Sequence, residues 1–417
     1  MAKVKNIRVG VFGLGRGGAY LQSFLTCNAT IVAVCDQYQS RVDNTVKMLG
    51  DGVTGYNDFD AFIEHDMDAV LLANYFTEHT KYAIRCLEKG IHVLSECTSN
   101  LTMADGVALV RAAEKSGAIY MLAENYPYMI FNKEMKRVYS SGTLGKCIFA
   151  EGEYNHPEAP ANEGFIKHHR PFTNHWRKYL ARAYYITHSL GPLMYITGAF
   201  PKKVHAFAAY SPDTKDGLSG LFVGDAAAII TCLNDDDSVF RVTGCAGFGA
   251  HDVSYRICGQ HGQIENVRGM GDKIMLRYNP WALPEGESVS KLYEPAWNDK
   301  DEALIKKTGH GGSDFIVVRN FLECIREDKK PDFDVYFATT MASVAILAHR
   351  SLLNGGVPFD VPDFRKEEDR TLYENDTLSP IPALDGTPAT LPCCSHPEYQ
   401  PSEEELANYR LIVGENN

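Results

Sequence analysis

The sequence predicts an α/β Rossmann-type domain with a doubly wound parallel sheet, followed by an α+β domain with an open, mostly antiparallel sheet. Up to residue 125, six short apolar segments alternate with helical segments, which is the pattern of a parallel sheet. Later strand-like segments follow one another through turns such as Asn234–Asp237, as in antiparallel sheets. The length of 417 residues also exceeds the span of a single hydrophobic core.

The first strand-like segment, Ile7–Phe12, leads directly into a glycine-rich turn, Gly13-Leu14-Gly15-Arg16-Gly17-Gly18. Gly13, Gly15 and Gly18 have the G-x-G-x-x-G spacing of a dinucleotide-binding turn, and an amphipathic helix is predicted after them. In such a turn Gly13 permits the tight bend and Gly15 lets the backbone approach a pyrophosphate, while Gly18 lets the helix pack closely on the strand. Glycine-rich turns are common, so an ordinary strand-turn-helix is the alternative.

The second strand-like segment ends in an acid, Asp36, about 20 residues after the glycines, where a carboxylate binds the ribose hydroxyls of NAD. With Gln37 and Tyr38 following it, this acid would repel the 2′-phosphate of NADP. We therefore predict NAD as the cofactor, contacted by the glycine-rich turn, Asp36 and Gln37. Arg41 is a further predicted contact, and it keeps NADP open because an arginine can pair with the extra phosphate.

Further predicted contacts follow the later strands. Because the carboxyl ends of parallel strands meet at one edge of a sheet, the residues after them should face one crevice. For the cofactor we predict Asn74, Tyr75, His79, Glu96 and Asn125, together with Trp176 from later in the chain. For a substrate we predict Glu124, Arg177 and His310. Each residue also has an alternative role. Glu124 could be an ordinary loop acid, and Arg177 a surface arginine beside a packed tryptophan. His310 could belong to a simple helix entry with Ser313 as N-cap.

Composition argues against several classes of function. The formal charge of −12 disfavours a nucleic-acid partner, and no apolar run is long enough to cross a membrane. The eleven cysteines are scattered apart from Cys393-Cys394 and contain no C-x-x-C, so we expect reduced thiols in a cytoplasmic protein. The first strand begins close to Met1, which leaves no room for a signal peptide.

His168-His169 with His175 lack an acid or cysteine at ligand spacing, and we predict no metal.

Candidate acid/base groups lie in the second half of the chain. Tyr154 and His156 end a predicted strand, and their i, i+2 spacing places both on one face. His188 begins a predicted helix, whose dipole would favour a neutral imidazole able to accept a proton, and Tyr185 lies three residues before it. The alternatives are a capping or core role for His188 and an exposed edge-strand position for Tyr154.

The order of these segments resembles the Gfo/Idh/MocA oxidoreductases, which join a Rossmann domain to an open-sheet domain. That family usually has Glu-Lys-Pro after the fifth strand, whereas this chain has Glu96-Cys97-Thr98. Over roughly residues 5–365 the chain is similar to a narrower branch that also lacks the lysine, the NAD-dependent glycosidases of the α-N-acetylgalactosaminidase type. The segments that carry this similarity are Glu124-Asn125-Tyr126, Tyr154-x-His156, Asn174-His175-Trp176-Arg177, Tyr185–Pro192 and Gly309–Phe315.

This resemblance implies transient oxidation of a sugar hydroxyl by NAD, elimination of the aglycone, addition of water and re-reduction. His188, Tyr185, Tyr154 and His156 are then the predicted catalytic residues. Two alternatives stay open: a net sugar, glycoside or cyclitol dehydrogenase, and a non-catalytic NAD-binding regulator. The resemblance also implies a homodimer or homotetramer. We predict an NAD-binding domain over 1–125, a substrate and oligomerisation domain over 126–365, and a C-terminal extension over 366–417.

Overall fold

The computed structural model describes residues 6–157, 172, 175–210, 224–245, 247–398 and 402–414. His168, His169 and Asn174 lie outside the described residues. The chain divides into two compact units. The first unit consists of Met1–Glu134, Pro295–Ala342 and Asp363–Asp376, and the second of Met135–Glu294, Ser343–Pro362 and Thr377–Asn417. Each unit is therefore built from three stretches of chain, while the boundaries at residues 125 and 365 stay a prediction.

The strands of the described residues are β1 (Ile7–Phe12), β2 (Ala29–Cys35), β3 (Thr54–Tyr56), β4 (Ala69–Leu72), β5 (His92–Ser95), β6 (Tyr120–Leu122), β7 (Cys147–Asn155), β8 (Pro201–Ala209), β9 (Ala227–Asn234), β10 (Val239–Gly244), β11 (Asp252–Gly259), β12 (Gly262–Asn266), β13 (Ile274–Tyr278), β14 (Ser290–Tyr293) and β15 (Phe359–Asp360). The helices are α1 (Leu21–Thr26), α2 (Gln39–Leu49), α3 (Phe59–Phe62), α4 (His79–Glu88), α5 (Met103–Ser116), α6 (Ile130–Ser140), α7 (Thr187–Thr197), α8 (Glu302–Ile305), α9 (Ser313–Glu327), α10 (Val335–Leu353), α11 (Glu367–Tyr373) and α12 (Glu403–Val413).

The first unit contains the predicted parallel sheet, with strand order β3-β2-β1-β4-β5-β6. Its central strands are apolar because both faces are covered: all four residues of β4 are buried. The order reverses between β1 and β4, and this switch point is where such sheets bind ligands. The α/β prediction is confirmed.

The turn after β1 differs from the prediction in two ways. A 3₁₀ turn over Gly17–Tyr20 precedes α1, so the predicted helix is present but begins only at Leu21 and has six residues. The close-packing glycine is Gly17, since a Cβ there would lie 3.0 Å from Val11 Cγ1 and 3.3 Å from Ala73 Cβ. A Cβ on Gly18 would meet nothing within 4 Å among the described residues. The spacing rule placed the packing role one residue too late, because the 3₁₀ turn rotates the chain differently from an α-helix.

The second unit contains an open nine-stranded sheet with the order β14-β13-β12-β11-β7-β10-β9-β8-β15. Its pairs are antiparallel except for β7 with β10, which is parallel. The mostly antiparallel prediction is confirmed. The sequence reading missed β13, β14 and β15; β14 is short and mainly exposed, so it shows no apolar alternation. Because β7 lies in the interior of the sheet, the edge-strand alternative for Tyr154 is wrong.

Helix α7 packs unusually close to β7. A Cβ on Gly152 would lie 2.1 Å from the carbonyl oxygen of Ser189, so only glycine permits this approach. The close contact brings the start of α7 next to the C-terminal end of β7. No helix among the described residues is long and apolar enough to cross a membrane.

Candidate active site

In the first unit, Asp36 supports the glycine-rich turn from one side. Its carboxylate is 4 % exposed and accepts hydrogen bonds from the backbone nitrogens of Leu14 (2.7 Å) and Tyr38 (2.9 Å). Arg41 Nη1 lies 3.4 Å from Asp36 Oδ2. Gln37 Nε2 donates to Tyr75 Oη (3.0 Å). The acid predicted to bind ribose is thus held at the end of β2, beside the turn.

The loop after β4 carries the predicted contacts Asn74 and His79. His79 is 1 % exposed, and burial lowers its pKa below the usual value. Its Nδ1 lies 2.9 Å from the carbonyl oxygen of Thr98, and its Nε2 lies 3.2 Å from that of Asn74. His79 therefore links the segments after β4 and β5. The side-chain Oδ1 of Asn74 is buried and accepts no hydrogen bond from the described residues.

Arg16 is the centre of an ion-pair cluster on the other side of the glycine-rich turn; its side chain is 32 % exposed, whereas Glu96 is 16 % and Asp314 3 % exposed. Its Nε donates to Glu96 Oε1 (2.8 Å), and its terminal nitrogens donate to the two oxygens of Asp314 (3.0 and 2.8 Å). Tyr20 Oη accepts from Arg16 (2.7 Å) and donates to Glu96 Oε1 (2.7 Å). Asp314 also accepts from Asn125 Nδ2 (2.9 Å) and pairs with His310 Nδ1 (2.9 Å). We call Arg16, Tyr20, Glu96, Asn125, His310 and Asp314 the Arg16 cluster.

The chemistry of the Arg16 cluster follows from its charges. Burial alone would raise the pKa of Asp314, but hydrogen bonds from His310 and Arg16 outweigh it and hold that pKa below its usual range. Burial raises the pKa of Tyr20 well above its usual value. Four of the five N–H donors of an arginine are used here by protein groups. Arg16, predicted as a cofactor contact, is therefore mainly engaged in fixing the turn.

The segment before α9 also differs from the predicted helix entry. The N-cap position is Gly312, with φ +93°, and Ser313 is the first helical residue, so Ser313 as N-cap is wrong. Ser313 Oγ instead donates to the carbonyl oxygen of His310 (2.7 Å). The left-handed backbone at Gly312 suits glycine, and a Cβ there would lie 2.1 Å from Ile305 Cγ2. This bend places His310 against Asp314 in the first turn of the helix.

Glu124 follows β6 and is 0 % exposed. Its Oε1 accepts from the backbone nitrogen of Tyr126 (3.1 Å), and its Oε2 accepts from Cys97 Sγ (3.2 Å). Cys97 occupies the position where the resembled oxidoreductases usually have a lysine. A thiol at this point supplies a weak hydrogen-bond donor to the carboxylate and no positive charge.

The groups of the first unit fit NAD. Gly13 has φ +92°, and a Cβ there would lie 2.3 Å from the carbonyl oxygen of Ala73, so the bend requires glycine. Asp36 ends β2 where a ribose diol is bound in such folds. Asn74 keeps a buried side-chain oxygen available at the carboxyl edge of the sheet. The turn, the acid and the amide would hold the pyrophosphate, the adenosine ribose and a polar group of the cofactor.

In the second unit, the four predicted catalytic residues meet around one ring. Tyr154 is 5 % exposed, and its ring centroid lies 5.5 Å from that of His156, 5.5 Å from that of Tyr185 and 5.1 Å from that of His188. The Tyr185 and His188 rings are 5.3 Å apart. We call Tyr154, His156, Tyr185 and His188 the ring cluster. A fifth ring, His251, stands 4.9 Å from His156.

His188 lies in the first turn of α7, as predicted. Pro192 is inside this helix and has no N–H to donate to the carbonyl oxygen of the residue four positions earlier, which is that of His188. Tyr255 Oη donates to this carbonyl oxygen instead, at 2.5 Å. Tyr255 is 0 % exposed, so a buried hydroxyl on β11 fixes the backbone that carries His188.

The predicted pair Trp176 and Arg177 also lies in the second unit. The Arg177 guanidinium carbon is 4.5 Å from the centroid of the Trp176 ring, a cation–π arrangement. His175 Nδ1 accepts from the backbone nitrogen of Arg177 (3.3 Å). The two side chains form a half-buried pair, which leaves their predicted binding roles as proposals.

Five residues in or next to these two clusters were not predicted from the sequence as site residues: Tyr20, Cys97, His251, Tyr255 and Asp314. Asp314 is 298 positions from Arg16, and no local pattern connects residues at such a distance. The need for a donor such as Tyr255 was predictable. Pro192 lies within the predicted helix and has no N–H, so the carbonyl oxygen of His188 needs another hydrogen-bond donor.

Comparison with known proteins finds a match to one family model in each half of the chain. Residues 7–124 match the model described as the oxidoreductase family with an NAD-binding Rossmann fold, GFO_IDH_MocA. Residues 224–370 match the C-terminal domain of glycosyl hydrolase 109. The chain joins these two domain types. The predicted resemblance is confirmed, as are NAD as the cofactor and an NAD-dependent enzyme.

Similar proteins agree with this assignment. The glycosyl hydrolase family 109 protein 1 of Bacteroides fragilis is 25 % identical over 407 residues, covering 87 % of this chain and 86 % of that protein. A family 109 protein of Saccharopolyspora erythraea is 25 % identical and covers 91 % and 87 %. Among solved structures, levoglucosan dehydrogenase with NADH and levoglucosan has a TM-score of 0.73 at 17 % identity, covering 86 % of this chain and 100 % of that one. The myo-inositol 2-dehydrogenase of Lactobacillus plantarum has a TM-score of 0.65 at 15 % identity, covering 86 % and 100 %. These structures show the Gfo/Idh/MocA fold.

Proposed function

We propose that this protein is a glycoside hydrolase that uses NAD to oxidise C3 of a sugar transiently, eliminates the C1 substituent, adds water and reduces C3 again. The observation that supports this most directly is the ring cluster, in which two tyrosines and two histidines meet around Tyr154. The family 109 relatives favour glycosides as substrates.

The first step requires removal of the C3 hydroxyl proton while hydride leaves the same carbon. His188 is the proposed base, because its backbone is fixed by Tyr255 and a histidine accepts protons near neutral pH. Tyr185 is its proposed hydrogen-bond partner. When bound, NAD supplies the acceptor for this hydride and the source of its return.

Oxidation at C3 changes the acidity of the neighbouring carbon. The C2 proton of an unmodified sugar is too weakly acidic for any side chain, whereas a ketone beside it makes its removal feasible. Tyr154, as its phenolate, is the proposed base that takes this proton, and the negative charge passes to the enolate oxygen at C3. His156, whose ring is stacked on that of Tyr154 with centroids 5.5 Å apart, is the alternative base. The C1–O bond then breaks and the leaving oxygen takes a proton, after which water adds across C1 and C2.

In the same proposal, Glu124 and Arg177 bind substrate hydroxyls. A lysine next to the reacting hydroxyl, as in the usual Gfo/Idh/MocA pattern, is replaced by Cys97, whose thiol donates to Glu124. A neutral thiol leaves the proton transfer at C3 to His188, and it leaves the carboxylate of Glu124 without a neighbouring lysine charge. Because Glu124 is 0 % exposed and both of its oxygens accept hydrogen bonds from the protein, its contact with sugar hydroxyls requires the side chain to leave this position.

The decisive test is turnover of aryl glycosides in deuterated buffer with a catalytic amount of NAD. We expect release of free aglycone, no accumulation of NADH, and deuterium at C2 of the sugar product. Stoichiometric NADH with the aglycone retained and no deuterium at C2 would instead establish a net dehydrogenase, the alternative reading.

The part played by His188 is tested separately. His188→Ala should bind NAD normally yet lose about 10²-fold in turnover, the range expected for general-base catalysis. His205→Ala, on β8 and outside the ring cluster, is the matched control and should keep full turnover. Unchanged turnover in His188→Ala would show that His188 is not the base and has only a structural role.

A further inference from the structure

We propose that the C-terminal segment, residues 377–414, is a positioning element for the two stretches that carry Tyr185 and the Trp176–Arg177 pair. The inference rests on the proposed function of these side chains. The segment belongs to the second unit, and it lies beyond the part of the chain matched by the glycosyl hydrolase 109 domain. It contacts the rest of the second unit at three described places.

The first contact joins Ser395 to the turn before Tyr185. Asp225 is 2 % exposed, and its carboxylate accepts from Ser395 N (3.1 Å) and Ser395 Oγ (2.5 Å). The backbone oxygen of Asp225 accepts from Arg182 Nε (3.0 Å). The backbone nitrogen of Tyr185 in turn donates to the carbonyl oxygen of Arg182 (3.2 Å). A chain of hydrogen bonds therefore runs from Ser395 to the backbone of Tyr185.

The second contact reaches the same turn through His349. This residue is 1 % exposed; its Nε2 lies 2.8 Å from the carbonyl oxygen of Pro392, and its ring stands 5.9 Å from that of Tyr184. Because a carbonyl can only accept, Nε2 carries the hydrogen and donates. Residues Pro392 and Ser395 thus fix the turn over Arg182–Tyr184 from two directions.

The third contact concerns the stretch before Trp176. Tyr409 on α12 is 1 % exposed, and its hydroxyl donates to the carbonyl oxygen of Phe172 (3.2 Å). The backbone nitrogen of His175 donates to the same oxygen (3.0 Å). Helix α12 therefore holds the carbonyl group to which His175, the residue directly before Trp176, is also bonded.

These contacts have separable consequences. A buried carboxylate such as Asp225 needs its hydrogen bonds, so removing the Ser395 hydroxyl loosens the turn that presents Tyr185. A displacement of about 1 Å at a reacting group can cost up to about 10²-fold in rate. Loosening the Phe172 turn moves Trp176 and Arg177, which have proposed roles in binding rather than in proton transfer.

The experiment compares Ser395→Ala and Tyr409→Phe in the full chain. We expect Ser395→Ala to lower kcat about tenfold with little change in KM, and Ser395→Thr, which keeps a hydroxyl, to recover most of the loss. Tyr409→Phe should raise KM for the glycoside about fivefold with little change in kcat, the effect of one hydrogen bond. Ser395→Ala should bind NAD with unchanged affinity. Asp385→Asn, on an exposed turn of the same segment, is the control.

Amide hydrogen exchange supplies a readout that does not depend on activity. In Ser395→Ala the amides of 182–190 should exchange faster, while those of 7–36 keep their wild-type rates. Wild-type kcat, KM and exchange in both variants would overturn the inference. If the wild-type chain turns over no glycoside and no free sugar, the proposed function fails, and faster exchange in Ser395→Ala would still support the positioning role.

Discussion

Replacing Asp314 by asparagine tests whether the Arg16 cluster supports the glycine-rich turn. The Asp314 side chain is 3 % exposed and takes part in four hydrogen bonds, two with Arg16, one with Asn125 and one with His310. Asparagine has nearly the same shape, but it carries no charge, and one of its two polar atoms donates. At least one of the four atoms that now contact a carboxylate oxygen of residue 314 would then contact the amide NH₂ group, which donates a hydrogen bond and does not accept one.

The size of the effect follows from burial. Removing one partner of a buried ion pair costs about 3–5 kcal/mol, because the other charge is left without compensation. Arg16 keeps its bond to Glu96 at 2.8 Å and its side chain is 32 % exposed to solvent, so we expect less than this range, a loss of about 2 kcal/mol in the free energy of unfolding. The loosened turn should also weaken NAD binding.

Urea unfolding at neutral pH measures the loss, and its pH dependence supplies a second check. The pKa of Asp314 in the folded protein lies below its usual range, so the unfolded state takes up the proton first as the pH falls. The stability from Asp314 is complete above its unfolded pKa of about 3.9 and declines below it. The difference between wild type and Asp314→Asn should therefore shrink below about pH 4.

Two controls make this result interpretable. Asp66→Asn removes an exposed partner of Arg8 and should leave stability almost unchanged. A double-mutant cycle of Arg16→Met with Asp314→Asn should show strong coupling, because the two side chains are in direct contact. A cost below about 1 kcal/mol for Asp314→Asn, the level of an ordinary exposed pair, would refute the buried-cluster reasoning.

Three further predictions concern the cofactor and the second unit. Because Asp36 ends β2, where such folds bind the ribose, NAD should bind about tenfold more tightly than NADP, or ~1.4 kcal/mol; fluorescence titration measures both, and equal affinities would contradict the proposed role of Asp36. Burial lowers the pKa of His349 to about 4, so the unfolded state binds its proton first as the pH falls from about 6.5. Relative to His349→Gln, the wild type should lose about 3 kcal/mol of stability between about pH 6.5 and 4, and parallel pH profiles in urea unfolding would contradict this. Protein purified without added cofactor should retain NAD, which acid extraction and chromatography would detect; less should remain in Asp314→Asn, and a cofactor-free wild type would count against tight retention.

The fold was largely predictable because its signals are local. Apolar segments such as Ile7–Phe12 and Ala69–Leu72 are buried on both faces of the parallel sheet. Strands buried in this way consist mainly of apolar residues, so their composition predicts them. The interior strand β7 alternates buried and half-buried residues. The strand β14 carries lysine and serine on exposed positions, so neither composition nor alternation marks it.

The site was predictable only in part, because its contacts are long-range. The ring cluster was anticipated in part from the spacing of Tyr154 with His156, which a strand places on one face. Tyr185 lies before the helix that carries His188, so only the folded second unit brings these two rings together. The partnership of Arg16 with Asp314 spans 298 positions, and only the folded first unit brings them together. The roles of Gly17 and Gly312 depend on the local backbone, which a spacing rule does not contain.

The predicted retention of the cofactor links the Arg16 cluster to the choice between hydrolysis and net oxidation. A net dehydrogenase must release reduced cofactor after each turnover, whereas a hydrolase that returns its hydride gains nothing from release. In the first unit the glycine-rich turn is fixed on one side by Asp36 through Leu14 and on the other by Arg16 through Glu96 and Asp314. A turn fixed on both sides loses little conformational freedom when a ligand binds, and such preorganisation favours tight binding. The anchored turn therefore favours the internal redox cycle over an exchange of cofactor in every turnover.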